Sequence, residues 1–135
     1  MEHLCSFETT VLAPKINKYA LIIPVLNEGD RFLAQLTRIQ SISPSVDVIV
    51  ADGNSRDGST NPTKLERLGV TTLLTIKKSR GVSDQLRVAY SWAIDSGYCG
   101  FVTIDGTGKD GVQAIDAFVS ALESGYDYVQ GSRYL

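Results

Sequence analysis

With 135 residues, 43% of them hydrophobic and 21% charged, the chain has the length and composition of a single globular domain able to bury a core. Its net charge of −2, with acids and bases interspersed, provides no basic stripe for nucleic acid. The longest apolar run, Tyr19 to Leu26, is interrupted by Pro24 and is too short to cross a bilayer, and no signal-peptide core precedes it. Cys5 and Cys99 lack the spacing of a metal site or redox pair, which fits a reducing, cytoplasmic setting and argues against a disulfide or zinc. His3 is the single histidine and sits near a chain end, which argues against histidine-based catalysis.

In chain order, residues 1–18 read as a lead-in segment with a short strand around Thr10 to Leu12. A strand is predicted over Tyr19 to Val25, a helix over Asp30 to Ser41 and a strand over Val46 to Ala51. A helix over Pro62 to Leu68 and a strand over Thr71 to Ile76 follow. Val82, Leu86, Ala89, Tyr90, Ala93 and Ile94 recur at helical spacing, with Gly97 as the terminator. After a strand over Phe101 to Ile104, Val112, Ile115, Phe118, Val119 and Leu122 mark one face of a last helix, closed by Gly125. A final strand spans Tyr126 to Val129. This alternation predicts an α/β domain with a mainly parallel sheet and helices on both faces. The chain stops at Leu135, directly after that strand. Further elements are therefore expected beyond it, and a strand edge left bare predicts association into a dimer around Tyr128, Tyr134 and Leu135.

Three predicted strands end in polar, acid-bearing turns: Asn27-Glu28 after the first, Asp52-Gly53-Asn54-Ser55 after the second, and Asp105-Gly106 after the strand at 101–104. Acids and amides start turns and cap helices for ordinary reasons, so one such tip means little. Three in one short chain favour a site, because an open α/β sheet binds ligands beyond the carboxyl ends of its strands. A polar ligand with a cation between the acids and a phosphate suits these tips. Two familiar phosphate motifs fail. Pro24-Val25-Leu26-Asn27-Glu28-Gly29 is not a dinucleotide fingerprint, and although Gly108-Lys109 mimics a P-loop centre, Thr103 and Asp110 occupy its first-glycine and hydroxyl positions.

Four segments, in order, resemble the family 2 glycosyltransferases of the GT-A fold, especially the dolichol-phosphate and polyprenyl-phosphate sugar transferases. They are Ile22-Ile23-Pro24-Val25-Leu26-Asn27-Glu28; Val50-Ala51-Asp52-Gly53-Asn54-Ser55-Arg56-Asp57-Gly58-Ser59, similar to VVDDGSTDGT; Asp105-Gly106-Thr107, aligned with the metal-binding DXD; and Tyr126-Asp127-Tyr128-Val129-Gln130-Gly131-Ser132-Arg133, similar to YDVVxGSR. The resemblance implies a Rossmann-like GT-A domain in which residues 19–135 form the nucleotide-sugar-binding part. It implies transfer of a sugar from a nucleotide-sugar donor to an acceptor such as a polyprenyl phosphate, at the cytoplasmic face of a membrane in the full-length protein.

By the same resemblance Pro24, Val25, Asn27 and Glu28 would line the nucleotide pocket, with Ser55 beside them. Asp52 would contact base or ribose, Arg80 and Asp84 would approach the nucleotide, and Arg133 would reach the diphosphate or sugar. Asp105 and Thr107 would hold Mg or Mn, with Gly106 in the nucleotide-sugar site; Lys109 stands where relatives supply a polar neighbour of the metal, and pairing with the diphosphate and a solvated loop lysine are its two readings. Thr107 stands for the second DXD acid and Gly53 for the second acid of DDGS, so fewer carboxylates face a hard cation than in relatives. For Arg80 and Asp84, a solvated helix start with the acid favouring the helix dipole is an equal alternative. The catalytic base is expected beyond residue 135. A sugar-phosphate nucleotidyltransferase is a second reading, although its glycine- and arginine-rich loop is absent. A non-catalytic nucleotide-sugar-binding module is a third.

Overall fold

Uninterrupted apolar stretches at Tyr19–Val25 and at Val48 to Ala51 are what a strand needs when both of its faces are covered, and both lie in central strands. The computed structural model describes residues 5–42, 45–105, 115–124 and 129–130. Its elements are β1 (Phe7–Val11), β2 (Tyr19–Val25), α1 (Gly29–Ile42), β3 (Asp47–Asp52), α2 (Pro62–Arg67), β4 (Val70–Ile76), α3 (Val82–Asp95), β5 (Gly100–Thr103), α4 (Ile115–Glu123) and β6 (Val129–Gln130). They form one sheet in the order β1-β4-β3-β2-β5-β6. All neighbours are parallel except β1, which runs antiparallel on β4 with Phe7 opposite Ile76. The mainly parallel, Rossmann-like α/β architecture is thus the one the alternation predicts.

Two apolar layers sandwich the sheet. On one face Leu21, Ile23, Val25, Val48 and Val50 pack under α1, α2 and α4 through Phe32, Leu36, Ile39, Leu65, Ile115, Val119 and Leu122. On the other, Ala20, Ile22, Ile49, Ala51, Leu74 and Ile76 pack under α3 through Val88, Ala89 and Ala93. The predicted helix over 62–68 ends one residue early. Pro62 opens it, the Asn61 side chain caps the Thr63 and Lys64 amides, and Gly69 at φ +84° stops it. The short strand expected at Thr10 to Leu12 lies instead at Phe7–Val11, where pairing with β4 decides its extent. The glycine-rich segment 106–111, Val112, and residues 126–128 and 131–135 of the expected last strand and dimer region lie outside the described residues.

The strand order creates a switch point. From β2 the chain proceeds through α1 to β3 on one side. From β5, the other neighbour of β2, it proceeds through α4 to β6 on the opposite side. Connections that leave β2 and β5 for opposite neighbours mark, at their carboxyl ends, the place where open α/β sheets bind ligands. Asn27 and Glu28 lie just past one of these strands and Asp105 just past the other.

Candidate active site at the carboxyl ends of the strands

Asp52, the last residue of β3, is only 3% exposed. Its Oδ1 accepts the Ser55 amide at 2.8 Å and the Ser55 hydroxyl at 2.7 Å, while Oδ2 accepts the Thr60 hydroxyl at 2.8 Å. The carboxylate thus folds the loop 53–60 back over the strand end, a role the sequence did not announce. Asp52→Ala would leave three donors without their acceptor and is expected to lower folding stability by about 1 to 3 kcal/mol. Urea unfolding of the variant checks this, and a midpoint equal to wild type would contradict it.

The loops after β2 and β3 are laced together. Asn27, in the left-handed region at φ 51°, donates its amide to the Ser55 hydroxyl at 2.9 Å and accepts the Arg56 amide on its side-chain oxygen at 2.8 Å. Asparagine tolerates that backbone region better than most residues, which gives this position a local reason for its residue type. Next along, the amide of Gly29, first residue of α1, donates to Asp57 Oδ2 at 3.0 Å, and Asp57 Oδ1 accepts the amide and hydroxyl of Ser59. Pro24 and Glu28 are half-buried and Val25 is buried in the same strand end. Ser55 and Asn27 are therefore brought together directly, with Asp52 holding Ser55 in place.

Hydrogen bonds from the Ser59 side chain and then its amide hold the Asp57 carboxyl below its ordinary value of 3.8. A carboxyl lowered in the folded state stabilises the fold fully above the unfolded value, and that contribution is lost as the pH falls below it. The stability difference between wild type and Asp57→Asn is therefore expected to shrink as the pH drops below 3.8. Thermal unfolding across an acidic pH series checks it, and a difference independent of pH would count against the assigned role.

Arg80 and Asp84 meet at the start of α3, at the same end of the sheet. Asp84 accepts the Arg80 amide at 2.8 Å, with the guanidinium Nε 3.7 Å away. The Arg80 amide first, and then the Cys5 thiol and the nearby cations, lower the Asp84 carboxyl, while burial opposes them. Asp84 thus ties the residue before the N-cap Gly81 back to the first turn of α3, which has no side-chain cap bond. The Arg80 side chain is 89% exposed and points into solvent.

Asp105 is half-buried beyond β5. Its backbone carbonyl accepts the side-chain amide of Gln35, a fully buried residue of α1, at 2.8 Å. Gln35 Oε1 finds no hydrogen-bond donor among the described residues. Gln85 of α3 is buried too, and its amide nitrogen donates to the carbonyls of Val25 and Ala51 at 2.8 and 2.9 Å. Two buried glutamines, one from each helical layer, therefore tie down the ends of β3, β2 and β5. Sequence reasoning missed both. The available signal was a polar side chain in phase with an apolar face, Gln35 beside Phe32, Leu36 and Ile39 and Gln85 beside Val88 and Ala89. Gly106, Thr107, Lys109 and Arg133 lie outside the described residues, so their expected places in the site are not seen.

Among the described residues, no three His, Cys, Asp or Glu side chains gather as a ready-made metal cage. Asp52 accepts hydrogen bonds from Ser55 and Thr60, and Glu28 and Asp105 are the acids just past β2 and β5 at the switch point. One carboxylate with substrate phosphates is an ordinary way to hold magnesium, so the donor set fits an ion that arrives with a diphosphate. Among the described residues no helix is long and apolar enough to cross a membrane.

No family model matches the chain. It is similar to a polyprenol monophosphomannose synthase of Mycolicibacterium smegmatis, 23% identical over 124 residues, with 85% of this chain and 44% of that protein covered. The chain thus spans less than half the length of the curated relative it matches.

Proposed function

We propose that this chain is the donor-binding part of a glycosyltransferase that passes a sugar from a nucleotide-sugar to a polyprenyl phosphate. The observation that carries the reading is the convergence of the Asn27–Glu28 turn, the Asp52 loop and Asp105 at the carboxyl ends of three neighbouring strands, astride the switch point. The similarity to a polyprenol monophosphomannose synthase supports a sugar transferred to a polyprenol phosphate.

In this reading the nucleoside lies across the ends of β2 and β3, against Pro24, Val25, Asn27 and Glu28. Asp52 acts by holding Ser55 and the loop around it. The diphosphate lies toward Asp105, where Mg or Mn would neutralise the charge that develops on the leaving group as the glycosidic bond breaks. Thr107, Lys109 and Arg133 are assigned to the diphosphate end on their motif positions, and Arg80 to the nucleotide's outer edge.

The test is incubation of the chain with GDP- and UDP-sugars, a divalent ion and a polyprenyl phosphate. It follows donor binding by thermal shift, and transfer by release of the nucleoside diphosphate and labelling of the lipid. Donor binding is the expected result, and transfer as well would show that the chain also carries the acceptor side. Binding without transfer would restrict the chain to a donor module, and failure of every donor to bind would overturn the reading.

A further inference from the structure

Gln85 occupies the first turn of α3 and is 3% exposed. Both hydrogens of its side-chain amide are used, one on the Val25 carbonyl at 2.8 Å and one on the Ala51 carbonyl at 2.9 Å. Val25 faces Asp52 in the last rung of the β2–β3 ladder and Ala51 faces Pro24 in the rung before it. The Val25 carbonyl also accepts the Gly53 amide at 2.9 Å. Beyond this rung the two strands part into the loops that carry Asn27 and Ser55. The spacing between those loops is thus set where Gln85 joins their roots.

Gly53 explains why the amide can lie there. A Cβ on residue 53 would come within 3.2 Å of Gln85 Cδ and Oε1 and 3.4 Å of its Nε2. The amide lies against the glycine backbone, in the space any larger residue would fill. Its neighbours leave it little room to yield, because both N–H groups are bonded and the side chain is buried.

We propose that Gln85 is a positioning residue of the candidate site and that Gly53 is its socket. The glutamine holds the loops after β2 and β3 at the separation in which Asn27 and Gly29 bond Ser55 and Asp57. A ligand seated across both loops depends on it without touching it. The binding consequence rests on the donor-binding reading; the clamp does not.

The test uses the full chain with Gln85→Leu, Gln85→Glu, Gly53→Ala, Gln85→Ala and the double variant Gly53→Ala/Gln85→Ala. Amide hydrogen exchange at Asn27, Gly29, Ser55 and Arg56 is compared with that at Leu74, inside β4. Loss of the two bonds in Gln85→Leu is expected to quicken the loop amides about tenfold relative to Leu74. Where Gln85→Leu fails to fold, Gln85→Glu decides: the protonated acid can still donate once and the ionised one cannot, so loop exchange should quicken as the acid ionises. Loop protection equal to wild type in either variant would overturn the clamp.

GDP and UDP, each with Mg, then serve as probes of binding. Gly53→Ala should weaken the better-bound one about tenfold in the wild-type background and have little effect when residue 85 is Ala, since contacting residues couple. Equal losses in the two backgrounds would overturn the socket. If wild type binds neither nucleotide, the donor-binding reading has failed, and exchange alone decides the clamp.

Discussion

Asp47→Ala is expected to cost about 3 to 5 kcal/mol of folding stability, the largest effect of any single truncation at a polar residue among the described residues. The residue opens β3, is 3% exposed, and receives four hydrogen bonds. The amides of Ile16 and Asn17 donate to it at 3.1 Å each, the Asn17 side chain at 2.9 Å and the Tyr98 hydroxyl at 2.7 Å. Burial, reinforced by this carboxylate, pushes the Tyr98 hydroxyl well above its ordinary value, so it remains a donor across the whole working pH range. Asp47 thereby pins the lead-in segment and the end of α3 to the start of a central strand.

Removing the carboxylate leaves these donors unsatisfied at once, a loss beyond that of one surface bond. Asp47→Asn should fall between, since its amide nitrogen can accept nothing. Tyr98→Phe should cost only about 1 kcal/mol, because it removes one donor and leaves the others paired. Urea unfolding of the three variants checks the order, and an Asp47→Ala midpoint at or above that of Tyr98→Phe would contradict it. Asp47 lies at the amino end of its strand, opposite the candidate site, so nucleotide binding per folded molecule should be retained in these variants.

The parallel core was legible because burial on both faces leaves long apolar runs. β2 lies on the predicted residues, and the predicted strand near β3 is off by a single residue at each end. β1 was not placed so well. An edge strand covered on one side needs little apolar sequence, and Phe7–Val11 is half polar, with Glu8, Thr9 and Val11 exposed. Its position follows from pairing with β4, a contact between residues far apart in the chain. At the site, the strand-end positions of Asn27, Asp52 and Asp105 were readable from the abrupt change of an apolar run into a polar turn. What each carboxylate does there was not. Asp52, expected at the base or ribose, also accepts from Ser55 and Thr60, since a buried acid needs local donors, and only the fold shows that structural role. Gln35, Gln85 and Asp47 gave no signal of what they bond. Each is one polar residue in an apolar pattern, and only the fold shows which carbonyl or amide it meets.

In the proposed reading, a metal-bound diphosphate would lie at Asp105, at the switch point between β2 and β5. Among the described residues, Asp105 is the acid beyond β5 at the switch point, and its backbone is fixed by Gln35. Asp105→Asn preserves shape and removes the charge that an ion would need. Binding of GDP or UDP should then require Mg or Mn in wild type and weaken roughly ten- to hundredfold in the variant, the worth of one charged contact of about 1.5 to 3 kcal/mol. Isothermal calorimetry of both proteins, each with and without the metal, is the direct measurement. Metal-dependent heat in wild type that is largely lost in Asp105→Asn is the predicted result; nucleotide binding that ignores the metal and survives Asp105→Asn unchanged would contradict the account.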